Sequence, residues 1–142
     1  MNAAAAAIAV AVTFTWLGMV LAISFVEAPL KFRAPGVTIP IGLGIGRLVF
    51  RALNIAETVL AVGVTAAVLA GNGPALVLGF MAAADALLAT QVGVIRRRLS
   101  HRTSQVLAGA HQSRSRTHLY YVAAEVAKVM ILISLGTSIL AR

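Results

Sequence analysis

The chain has 142 residues, 60% of them hydrophobic and 11% charged, with a formal net charge of +8. A mean hydropathy of +0.94 lies far above the range of water-soluble domains and indicates an integral membrane protein. The lack of cysteine excludes disulfides, iron–sulfur clusters and thiolate zinc sites. Few aromatics lie among the basic residues, so the positive charge fits membrane topology rather than nucleic acid.

Residues 3–28 form one apolar run, interrupted by Thr13, Thr15, Ser24 and Glu27. About 20 residues at a rise of about 1.5 Å each cross a bilayer core, so this run predicts a first transmembrane helix. A cleaved signal peptide fits less well, because no basic residue precedes the run and it is too long for such a segment. Pro29, Pro35 and Pro40 then break the chain into a loop carrying Lys31 and Arg33. Gly42, Gly44 and Gly46 lead into a second helix over 45–70. They form no phosphate loop, since no strand precedes them and no Lys-Ser/Thr pair follows. Glycines spaced along a membrane helix instead permit close backbone packing.

Gly71-Asn72-Gly73-Pro74 reads as a tight turn. A third helix is expected over 74–95, with Asp85 at its middle and Gln91 nearer its end. The polar segment 96–117 follows, with six arginines and the histidines His101 and His111. A fourth helix is expected over 118–141. The basic segments 31–51 and 96–116 emerge on one side of such a four-helix arrangement. The positive-inside rule puts that side in the cytoplasm and both termini outside.

The polar residues inside these apolar runs are the candidate site. On a helix at about 100° per residue, Arg47, Arg51, Asn54 and Thr58 share one narrow face with Glu57 beside it. The four acidic residues, Glu27, Glu57, Asp85 and Glu125, fall one to each helix. His118, Tyr121, Glu125 and Lys128 share a face of the fourth. Counting from the cytoplasmic ends puts Glu57, Asp85 and Lys128 about 15 Å deep, near the midplane, with Arg51, Asn54 and Glu125 shallower. Convergence of Arg47, Arg51, Asn54, Glu57, Asp85, Glu125 and Lys128 into a closed polar cluster is the expectation.

Two roles stay open for such a cluster. Ionisable groups within a membrane are costly and commonly mark paths for protons, ions or small solutes. The same charges can instead pair and specify which helix faces meet, as in an accessory subunit of a membrane complex. No nucleophile, base and orienting group come together for an enzymatic reading. The histidines are spaced ten and seven apart, which suits no metal. Trp16, Phe14 and Phe25 read as packing or lipid-facing residues, and Ser24 as a small helix-contact residue.

Two resemblances add to this. Phe25-Val26-Glu27-Ala28-Pro29-Leu30-Lys31-Phe32, Gly46-Arg47-Leu48-Val49-Phe50 and His118-Leu119-Tyr120 with Glu125 and Lys128 resemble a group of small bacterial four-helix membrane proteins of unknown function. That resemblance implies fold and membrane location, and no activity. Arg47, Arg51, Ala52, Asn54 and Glu57 resemble the helix-two signature of the membrane-associated eicosanoid and glutathione metabolism family. It implies a trimeric transferase with Arg51, Asn54 and Glu57 as glutathione ligands. The family places its asparagine four residues after the arginine, whereas here the spacing is three.

The sequence as a whole predicts one all-α domain over 1–142, a four-helix multi-pass protein of the plasma membrane. Its expected partners are the bilayer, anionic headgroups at the basic loop, and further copies or a membrane-complex subunit.

Overall fold

Asn2 opens the first helix: its side chain accepts the Ala5 N–H at 2.8 Å and so satisfies one of the free donors of the first turn. From there the computed structural model describes residues 1–95, 97, 101, 104 and 116–142, and among these every regular element is a helix. Four helices are long and apolar enough to cross a membrane. They are α1 (Ala3–Val20 and its extensions), α2 (Ile39–Ala70), α3 (Ala75–Thr90) and α4 (Arg116–Leu140).

The first helix does not stop at Pro29. A π-helical segment, Leu21–Glu27, continues α1, and the Ala28 N–H reaches back five residues to the Ile23 carbonyl. A turn of α-helix (Ala28–Leu30) and one of 3₁₀ helix (Lys31–Arg33) complete an apolar rod of 31 residues. Proline lacks an N–H and its ring crowds the carbonyl four residues back. The wider π turn just ahead of Pro29 takes up that crowding, so the helix runs on.

The second helix starts at Ile39, six residues ahead of the expected position 45. Pro40 lies in its first turn, where the missing N–H has no helical partner to lose. Thr38 caps it, accepting the Ile41 N–H at 3.4 Å. Gly42 and Gly46 are therefore buried helix residues, and a side chain at Gly42 would collide with the Phe32 ring. At the other end, the Gly73 N–H bonds the Val68 carbonyl at 2.8 Å and the Asn72 N–H bonds Leu69 at 3.1 Å. With Asn72 at φ 53°, this is the left-handed helix stop for which the Gly-Asn-Gly sequence is suited.

The third helix continues through a second π segment, Gln91–Ile95. The expected basic loop at 96–117 lies almost wholly outside the described residues, as does the side chain of His118 at the start of α4.

The helices pack as a ring. α1 lies against α2 and α4, α3 lies against α4, and α2 touches α3 over a shorter stretch. This leaves α2 and α4 facing each other across the centre, as in an up-and-down four-helix bundle. Toward the end that holds the termini, Ala9, Val64, Val68, Val77 and Leu135 form an apolar layer. A second layer, with Trp16, Val20, Ala84, Leu88 and Leu132, lies next to it. Beyond that layer the core turns polar.

Candidate functional site

Polar side chains from all four transmembrane elements meet in this part of the core. Lys128 on α4 places its ammonium 2.6 Å from Glu57 Oε2 on α2 and 2.8 Å from Glu125 Oε1 one turn back on its own helix. Trp16 on α1 donates its indole N–H to the same Glu57 oxygen at 2.8 Å. Ser24, in the first π segment, donates to Glu125 Oε2 at 2.6 Å. Gln91, opening the second, donates to Glu125 Oε1 at 2.6 Å. The three charged groups are 0% (Glu57), 1% (Lys128) and 2% (Glu125) exposed, so the network is closed to solvent.

Ser24 and Gln91 reach one carboxylate from the two π segments, each in line with the buried face of its helix. Both segments sit at the level of Glu125, and each supplies one of its donors. Such interruptions cost backbone regularity and occur often where a helix must aim a functional side chain.

Among the described residues the charge count of the network is uneven. Two carboxylates face one ammonium, and every bond drawn so far goes to three of the four carboxylate oxygens. The fourth, Glu57 Oε1, is buried without a hydrogen-bond partner, as are Thr13 Oγ1 and Gln91 Oε1. Burying charge in an apolar bundle is favourable only when it is matched and bonded. One further positive charge would balance the network.

The remaining expected site residues lie elsewhere. Asp85 does not join the cluster: it accepts from Thr65 Oγ1 at 2.8 Å and lines a groove between α2 and α3. On α3 the buried face runs through Ala84, Leu88 and Gln91, and Asp85, one residue past Ala84, is turned from it by about 100°. Arg51 is exposed and Asn54 half-buried, and among the described residues Arg51 forms no ion pair with Glu57 or Asp85. The buried face of α2 runs through Leu53, Glu57, Ala61, Val64 and Val68, so Glu57 is at its centre. The stripe of Arg47, Arg51, Asn54 and Thr58 lies about 90° to one side. Arg47 donates to Ser104 Oγ at 2.6 Å near the loop end of the bundle. Glu27 pairs there with Lys31 at 3.6 Å, and the Lys31 ammonium lies 5.5 Å and 5.6 Å from the Phe32 and Phe50 ring centres.

Trp16, Ser24 and Gln91 complete the network without having been singled out as site residues. One signal for them was available. A buried indole N–H, hydroxyl or amide in an apolar bundle needs an acceptor, and the sequence offers only four carboxylates.

Compared with known protein families, curated proteins and solved structures, the chain matches none of them. Among the described residues, no group of histidine, aspartate or glutamate side chains is arranged to hold a metal ion.

Proposed function

We propose that this multi-pass protein binds one proton or other small monovalent cation in its core and passes it across the bilayer. The observation that supports this is the uneven network, two buried carboxylates against one ammonium, with Glu57 Oε1 lacking a donor. A network of fixed pairs alone would use one carboxylate. The second has a role as an acceptor for a mobile charge. Release requires the loop end of the bundle to open, and the π segments carrying Ser24 and Gln91 are the parts of α1 and α3 suited to shift register.

The test is proton flux into proteoliposomes carrying an internal pH dye. Wild type is expected to dissipate an imposed pH gradient. Glu57→Gln, purified as a folded protein, is expected to lose that flux. Equal flux from both proteins, or none above empty liposomes from wild type, would sink the proposal.

A second reading is favoured by a separate fact: the network bonds side chains from all four transmembrane elements. In that reading the charges fix the helix arrangement of an accessory subunit, and the protein has no flux of its own. The glutathione-transferase alternative draws less support, since Arg51 is exposed while Glu57 is buried and already holds Lys128 and Trp16.

The same proposal places the loop end in the cytoplasm, both termini outside, and the protein in the plasma membrane. The basic residues of 31–51 and 96–116 support that placement. It also sets the loop beside anionic headgroups. A bundle of four helices has little interior space, so a homo-oligomer accords with transport.

A further inference from the structure

Between α2 and α3 lies a groove of about 650 Å³, within the size range of pockets that hold small organic ligands. It forms because α2 and α3 touch over only a short stretch of the bundle. Its walls are apolar, with Ala61, Val62, Leu69, Leu88, Ala89 and Val92 among them. Val62, Leu69, Ala89 and Val92 are also exposed on the outer surface of the bundle, so the groove opens sideways toward lipid.

One charge lies in this apolar setting. Asp85 Oδ2 is held by the Thr65 hydroxyl at 2.8 Å, which fixes the carboxylate against the groove wall. Its other oxygen, Oδ1, is buried and has no hydrogen-bond partner. Among the described residues no lysine, arginine or histidine lies within ion-pairing distance of Asp85. Asp85 is ten residues from the start of α3, so it lies about 15 Å along the helix, near mid-membrane. A carboxylate at that depth needs a partner.

We infer that the groove binds a lipophilic organic monocation, its charge on Asp85 and its apolar groups against the alanine and leucine walls. Each part of the site has a counterpart in such a ligand. The apolar walls exclude strongly hydrated ions such as sodium, which would have to shed their water with only two or three oxygens in return. The single carboxylate selects one positive charge. Sideways opening gives access to a molecule already dissolved in the membrane. A second copy of this chain is a poorer occupant, since no exposed cationic side chain among the described transmembrane residues lies at the depth of Asp85. Arg51, the nearest on α2, is seven residues closer to the loop end than Thr58, where the groove begins.

The test is equilibrium dialysis of the purified full chain in a neutral detergent against tetraphenylphosphonium. Triphenylphosphine oxide serves as an uncharged probe of related shape. Wild type is expected to bind the cation saturably and the neutral probe at least about tenfold more weakly. Asp85→Asn, which keeps the shape and removes the charge, is expected to weaken cation binding by at least about tenfold. Ala89→Leu, which fills the groove and leaves the carboxylate in place, is expected to do the same, and it decides the matter if Asp85→Asn fails to fold. Equal affinity of wild type and both variants, equal binding of the two probes, or no saturable binding by wild type would overturn the inference. So would a crosslinked homodimer through single cysteines at Ala66 with no cation uptake, which would mark the groove as a contact between copies. Dialysis reads binding and not flux, so failure here is separate from failure of the proton proposal.

Discussion

Among the described residues Lys128 is the only cation in the core network, and its loss has a definite sign. Lys128→Met leaves Glu57 and Glu125 facing each other in an apolar bundle without a counter-charge. Melting in detergent is expected to show a loss of about 3–5 kcal/mol, the usual cost of removing one partner of a buried ion pair. Glu57→Gln acts differently, because it leaves one carboxylate against one ammonium, and the new amide oxygen can still accept the Trp16 N–H. That variant is expected to stay within about 1.5 kcal/mol of wild type, the scale of a single hydrogen bond. Equal losses in the two variants would show that the second carboxylate is structural. Glu57, Glu125 and Lys128 were legible in the sequence because charges inside apolar runs stand out. Ser24 and Gln91 were not, although a 3.6-residue repeat sets both on the buried faces of α1 and α3, because an uncharged hydroxyl or amide stands out less in an apolar run than a charge does. Asp85 was legible as buried and polar but not as separate, because a count of depth ignores the turn of about 100° between neighbours on a helix.

Among the helices, the sequence showed existence and type more clearly than ends. Four apolar runs of spanning length predict the four helices that the structure shows to be long and apolar enough to cross a membrane. Two prolines were harder to place. Pro40 reads as a breaker, yet it occupies a first turn behind the Thr38 cap, where proline has no helical bond to lose. Pro29 also reads as a stop, but the π segment before it lets the helix continue. The Gly71-Asn72-Gly73 stop is the clearest match of composition to geometry, and it carries a prediction. Asn72 holds φ 53°, a conformation that a β-branched side chain resists. Asn72→Val is expected to lower the melting free energy by about 1–2 kcal/mol, while Asn72→Gly stays near wild type. Indistinguishable melting curves for the two variants would argue that this turn contributes little to holding α2 against α3.

On the scale of the whole molecule, the absence of cysteine is an experimental advantage, since any cysteine introduced is the only thiol present. If the loop end is cytoplasmic, a thiol at His101 is expected to react with a membrane-impermeant reagent only after cells are opened, and one at Asn72 in intact cells. The reverse pattern would turn the molecule over and reassign the side from which the network loads. The chain also contains a single tryptophan. Its indole is fully buried and bonded to Glu57, the carboxylate that has an unsatisfied oxygen. The protein's ultraviolet emission therefore comes largely from one fluorophore attached to the centre of the network. A short-wavelength band that shifts on Glu57→Gln, and titrates with the ion that the core takes up, would make Trp16 an internal optical gauge of occupancy, readable without a dye.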